Sequence, residues 1–100
     1  MILKILMLGD VVRENGIRYL ASGGRLRSFV RENGVSLTVA NGENSAEGNG
    51  ITPSSFEGLI DAGCDVVTGG NHTFRHRDAY SLLDDDPRAI RPANMYGGAP

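Results

Sequence analysis

Residues 64–77 run Cys-Asp-Val-Val-Thr-Gly-Gly-Asn-His-Thr-Phe-Arg-His-Arg (CDVVTGGNHTFRHR). The segment 64–69 is a short apolar run of strand type, and it gives way at once to two glycines, an asparagine and a histidine. Turn chemistry accounts for the glycines. Delivery of Asn71 and His72 to a site would account for the rest. What flanks this stretch decides between the two.

Working outward, the same grammar recurs. Residues 2–8 are apolar and stop at Gly9-Asp10, as a strand buried on both faces would. Residues 35–40 (VSLTVA) give a second strand, with Val35, Leu37 and Val39 alternating. Between these two, 16–33 has helical spacing through Ile17, Leu20, Ala21, Phe29 and Val30, and Gly34 stands where a C-cap belongs. Gly23-Gly24 weakens that helix by up to about 1 kcal/mol each relative to alanine, which predicts a kink or break. Residues 41–50 (NGENSAEGNG) are a loop by composition. Thr52-Pro53 reads as N-cap and first helical residue, opening a helix with Phe56, Leu59 and Ile60 on its inner face and Gly63 at its end. A short helix is predicted over 76–84 through Tyr80, Leu82 and Leu83, and a fourth strand over 89–94.

Strands alternating with helices specify an α/β fold, a parallel sheet with flanking helices. One hundred residues make a single domain spanning 1–100, without repeat or linker. The last residues, YGGAP, have loop composition and end on no finished element, so an incomplete domain is expected. About half of the chain is apolar or glycine, near the globular norm of roughly 45–50%. Net charge is −2 with both signs interspersed, which argues against wide nucleic-acid binding. Cys64 is the only cysteine, so an intramolecular disulfide is excluded and a reducing, cytoplasmic location is expected. The apolar N-terminus is shorter than the roughly 20 residues a membrane span needs. It carries no small-residue cleavage site either, so no membrane association is expected.

All strands of a parallel sheet end at one edge, where ligands bind. Each strand candidate here is followed by chemically able residues: Asp10 after the first, Asn41, Glu43 and Asn44 after the second, Asn71 and His72 after the third. A glycine (Gly9, Gly42, Gly70) sits beside each cluster, and the expectation is that it frees the backbone for positive φ and close approach to a ligand. Turns need Gly, Asn or Asp; they do not need Glu43, nor His72 one strand over. Oxygen ligands with an imidazole suit Mn, Fe, Zn or Mg. No G-x-G-x-x-G follows the first strand and no Gly-Lys-Ser/Thr completes a P-loop. A receiver domain would want an aspartate where Asn71-His72 stand.

The blocks LGD at 8–10, ANGENSAEGNGITP at 40–53, GNHTF at 70–74 and RPAN at 91–94 resemble the YmdB-like branch of the calcineurin-type metallophosphoesterases, in order and spacing along nearly the whole chain. The resemblance implies the N-terminal part of a metallophosphoesterase α/β sandwich. It implies a hydrolase with two divalent metal ions that cleaves phosphodiesters, with small cyclic nucleotides as the substrate class. By the same resemblance Asp10 would bind the first metal, Glu43 would bridge both, and Asn71 would bind the second. Asn44 would stand beside them as ligand or support, and His72 would act as general acid or electrostatic partner at the leaving oxygen. Val12 replaces the histidine that most of the superfamily carries there, a departure typical of this branch. Arg13 occupies a position that is commonly glycine, and Arg75-His76-Arg77 stands where the family usually has an acidic residue. The family chain is more than twice as long and takes further metal-binding histidines from its C-terminal half.

The remaining features have simpler readings. His76, within Arg75-His76-Arg77, is expected to be solvated; Asp84-Asp85-Asp86 is a solvated acidic helix end; Cys64 is a small buried apolar residue at a strand start. The alternative to a phosphodiesterase is a truncated, inactive module that self-associates as a homo-oligomer, or binds a partner, through an uncovered sheet.

Overall fold

The computed structural model describes residues 2–93. Four strands, β1 (Ile5–Leu8), β2 (Leu37–Asn41), β3 (Val66–Thr68) and β4 (Ala89–Ile90), form one parallel sheet in the order β1-β2-β3-β4. Helices α1 (Arg13–Ala21) and α2 (Arg25–Asn33) connect the first pair, α3 (Pro53–Ala62) the second and α4 (Asp78–Asp85) the third. The expected α/β class and element order are therefore present. Part of the 89–94 strand and all of the YGGAP end lie outside the described residues.

Local signals place the helix ends. Gly23 and Gly24 adopt φ of 64° and 69° and split the predicted 16–33 helix into α1 and α2 through a 3-10 turn. Gly34 closes α2 in the left-handed region at φ 63°. Thr52 caps α3 in a reciprocal capping box with Ser55, ahead of Pro53, and Gly63 ends it. The predicted 76–84 helix begins later, at Asp78, because Thr73–Arg75 turn first as a 3-10 segment. Among the described residues no helix is long and apolar enough to cross a membrane.

The sheet advances in one direction, and right-handed crossovers then put every helix on the same face. Residues opposite one another in the parallel register share a face. Thr38, Ala40, Val67 and Ala89 point to the helices and are buried, with Leu6 and Leu8 packed against the same core around Phe56, Leu59, Leu26 and Leu82. Ile5, Met7 and Ile90 point the other way and are 57%, 73% and 45% exposed, beside half-buried Leu37, Val39 and Val66. This corrects the expectation that the first strand is buried on both faces. An apolar strand looks the same in sequence whether helices cover both its sides or one.

Candidate metal centre

The carboxyl ends of β1, β2 and β3 bring the three polar clusters to one sheet edge. Asp10 follows β1 at φ 42°, in the left-handed region an aspartate tolerates better than most residues. Backbone bonds lash its loop to the next one: Val11 N–H donates to the Asn41 carbonyl at 3.1 Å, and Arg13 N–H to the Asn44 carbonyl at 2.9 Å. Arg13 has φ 55°, so the arginine standing at a commonly glycine position holds a glycine-like backbone. Asn44 Nδ2 donates to Asp10 Oδ1 at 2.8 Å, joining the first cluster to the second.

Glu43 joins the second cluster to the third. The His72 backbone N–H donates to Glu43 Oε2 at 3.2 Å, and Asn41 Nδ2 to Oε1 at 3.4 Å. The His72 Nδ1 atom stands 3.7 Å from Oε2, beyond hydrogen-bond reach. A Cβ on Gly70 would collide with both carboxylate oxygens, so this glycine is the seat of Glu43. Thr73, fully buried, holds that turn: its Oγ1 accepts from Gly70 N–H at 2.6 Å and donates to the Gly70 carbonyl at 2.7 Å. Asn71, beside His72, is exposed at the rim.

The role expected of the glycines needs correcting. None of Gly9, Gly42 and Gly70 has positive φ. Gly42 lies against Val67 and Leu59, where a Cβ would not fit, and so closes the loop over the core. Gly9 faces open space. Space for Glu43 and for the core, rather than backbone freedom, is what this edge uses.

Three polar side-chain atoms at the edge are buried without a hydrogen-bond partner: Asn41 Oδ1, Asn44 Oδ1 and His72 Nδ1. Leaving such a group unpaired costs about 1–3 kcal/mol. The carboxylates of Asp10 and Glu43 with the amide oxygens of Asn44 and Asn71 make an oxygen donor set that suits a hard or borderline divalent cation. The residues present thus fit such an ion, although no group of three or more His, Cys, Asp or Glu side chains arranged for a metal occurs among the described residues. Two of the edge's oxygen donors are asparagines, which such a grouping leaves out.

His76 corrects another expectation. It is half-buried rather than solvated, with Nε2 3.0 Å from the Glu47 carbonyl and 2.9 Å from that of Asn49. It lies beyond the 3-10 turn that follows His72, so the two histidines do not share a helical face. Cys64 is buried, as expected, and burial, helped by the Asp65 charge, pushes its thiol up to about 11. In the acidic run, Asp86 pairs with Arg88 at 2.7 Å, and the guanidinium's hydrogen bonds hold its carboxyl down at about 2. Asn41 belongs to the sequence cluster but lies outside the candidate ligand set, and its sequence neighbourhood to Glu43 is the signal for its supporting role.

The chain is similar to proteins of known type. It is 36% identical over 106 residues to the 2′,3′-cyclic-nucleotide 2′-phosphodiesterase of Bacillus subtilis, covering 98% of this chain and 36% of that protein. A crystal structure of a hypothetical protein from Thermus thermophilus superposes with a TM-score of 0.83 at 36% identity, over 96% of this chain and 36% of that one. A crystal structure of a novel phosphatase from Mycoplasma pneumoniae superposes with a TM-score of 0.84 at 27% identity, over 98% and 34%. The chain therefore spans about a third of the length of the relatives it matches. The YmdB-like protein family matches residues 6–100, which takes in every candidate site residue from Asp10 to His72, and the chain belongs to that family.

Proposed function

We propose that this chain carries the N-terminal share of a metal-dependent phosphodiesterase site, within a larger domain of cytoplasmic location. Asp10, Glu43, Asn44 and Asn71 are the residues that would hold two divalent cations. The observation that carries the reading is the Glu43 carboxylate, seated on Gly70 and held by His72 N–H, beside the unpartnered amide oxygens of Asn41 and Asn44. The chemistry such ions supply when bound is Lewis-acid polarisation of a phosphoryl group and activation of water at neutral pH. The protein's own part is positional and protonic. Asn44 fixes the Asp10 carboxylate through its Nδ2. His72 anchors Glu43 through its backbone N–H, and its imidazole, which makes no hydrogen bond through Nδ1, is the group to protonate the departing oxygen. Neutral Asn71, in place of a further carboxylate, keeps the edge receptive to an anionic substrate. Small cyclic nucleotides are the substrate class, since a relative is named for that activity.

The test is hydrolysis of bis(p-nitrophenyl) phosphate and of a 2′,3′-cyclic nucleotide with added Mn²⁺. Turnover that falls at least tenfold in Asn71→Ala supports the reading; full activity in that variant rejects it. The open sheet face favours a second reading, an inactive module that associates through Ile5, Met7 and Ile90. A well-behaved oligomer without turnover on size-exclusion chromatography supports the second reading, and turnover by the isolated chain refutes it.

A further inference from the structure

The loop that presents Glu43 and Asn44 has a firm base and a bare crest. Ser45 is buried, with Oγ 2.7 Å from the Gly42 carbonyl and 2.9 Å from Ser55 Oγ, and Ala46 and Ile51 are buried at either side. Between them Gly48, Asn49 and Gly50 all have positive φ, at 71°, 71° and 80°. Asparagine visits that region more readily than other side-chain-bearing residues, and contacts from the neighbouring segment fix it there. The carbonyls of Glu47 and Asn49 converge on His76 Nε2. Carbonyl oxygens only accept, so Nε2 carries the proton and donates to both. Gly50 packs so closely that a Cβ there would press on Arg75, on the His76 ring and on the His72 carbonyl.

The 41–50 loop is thus tied twice to one segment, through Glu43 to the His72 N–H at the sheet edge and through its crest to His76. We propose that His76 is a positioning residue, a latch that keeps the crest folded down so that Glu43 stays on the His72 amide and the ligands of the two loops stay in register. Its consequence for metal binding rests on the function proposed above; the latch itself does not.

The experiment compares His76→Ala and His76→Gln with the wild type by residue-resolved amide hydrogen exchange and by Mn²⁺ titration. Glutamine keeps an N–H₂ group able to serve both carbonyls. In His76→Ala, exchange at 44–50 and at the His72 amide is expected to quicken at least tenfold while β2 and α3 keep their protection. Mn²⁺ affinity falls about tenfold, the lower end for loss of a supporting group around a metal. His76→Gln restores both. Unchanged exchange at 44–50 and His72 in His76→Ala, or a change that glutamine does not rescue, overturns the latch. A quickened loop with undiminished Mn²⁺ affinity overturns its positioning role. Wild-type protein that binds no Mn²⁺ defeats the proposed function instead, and the exchange result alone then decides the latch.

Discussion

Gly70 offers a sharp perturbation of the site because the group nearest to any added side chain is the Glu43 carboxylate. The three atoms a methyl group at this position would meet first are the Glu43 carboxylate carbon and its two oxygens, and the backbone there has no positive φ to forbid alanine. In Gly70→Ala the carboxylate must therefore swing away or the 69–72 turn must shift. Either movement breaks the bond from His72 N–H to Glu43 Oε2. A hydrogen bond to a charged group contributes roughly 1.5–3 kcal/mol. At about 1.4 kcal/mol per factor of ten, losing the ligand geometry that bond maintains weakens Mn²⁺ binding roughly ten- to hundredfold. Gly9→Ala is the matched control: it lies at the same edge, beside Asp10, and its Cβ would meet nothing within 4 Å. The assay is Mn²⁺ titration calorimetry with a thermal melt on each variant. Gly70→Ala that binds as tightly as wild type would refute the reasoning, as would Gly9→Ala that loses as much.

Three further outcomes follow from single interactions. Thr52→Ala removes one half of the capping box at α3, which costs about 1 kcal/mol. That lowers Tm by roughly 4–8 °C in a domain of this size, and an unchanged melt contradicts the assignment. Asp86 has its folded pKa held at about 2, below its ordinary value of 3.8, so its stabilising contribution is present above pH 4 and lost as pH falls from about 4 to 2. Wild type and Asp86→Asn should therefore differ in urea midpoint at pH 6 and converge near pH 2; a gap that persists in acid counts against the Arg88 pairing. Cys64, buried with its thiol pushed up to about 11, should react with a disulfide reagent at pH 8 only after unfolding, and rapid native labelling would contradict its burial.

Much of this architecture was legible because each element announces its own end. Gly34, Thr52-Pro53 and Gly63 stop and start helices through their own backbones, and the Gly23-Gly24 break needs no partner to explain it. Asp10, Glu43 and His72 could be assembled at one edge because a parallel sheet delivers every strand end to the same side. What escaped was tertiary. The bare face of β1 depends on strand order together with crossover hand, and neither is written in Ile5 or Met7. The carbonyls that His76 binds lie 27 and 29 residues away, across a loop whose left-handed crest no composition rule predicts. In sequence Gly70 reads as turn chemistry, yet its partner is a carboxylate from another strand's loop.

The central claim is that Asp10, Glu43, Asn44 and Asn71 together hold divalent metal. Electron paramagnetic resonance of Mn²⁺ titrated into the wild-type chain and into Glu43→Ala tests it most directly. The account predicts saturable binding in the wild type, weakened at least tenfold in Glu43→Ala while the fold, followed by circular dichroism, is retained. Wild-type protein that leaves the free Mn²⁺ signal undiminished, or Glu43→Ala that binds as tightly as wild type, would contradict it.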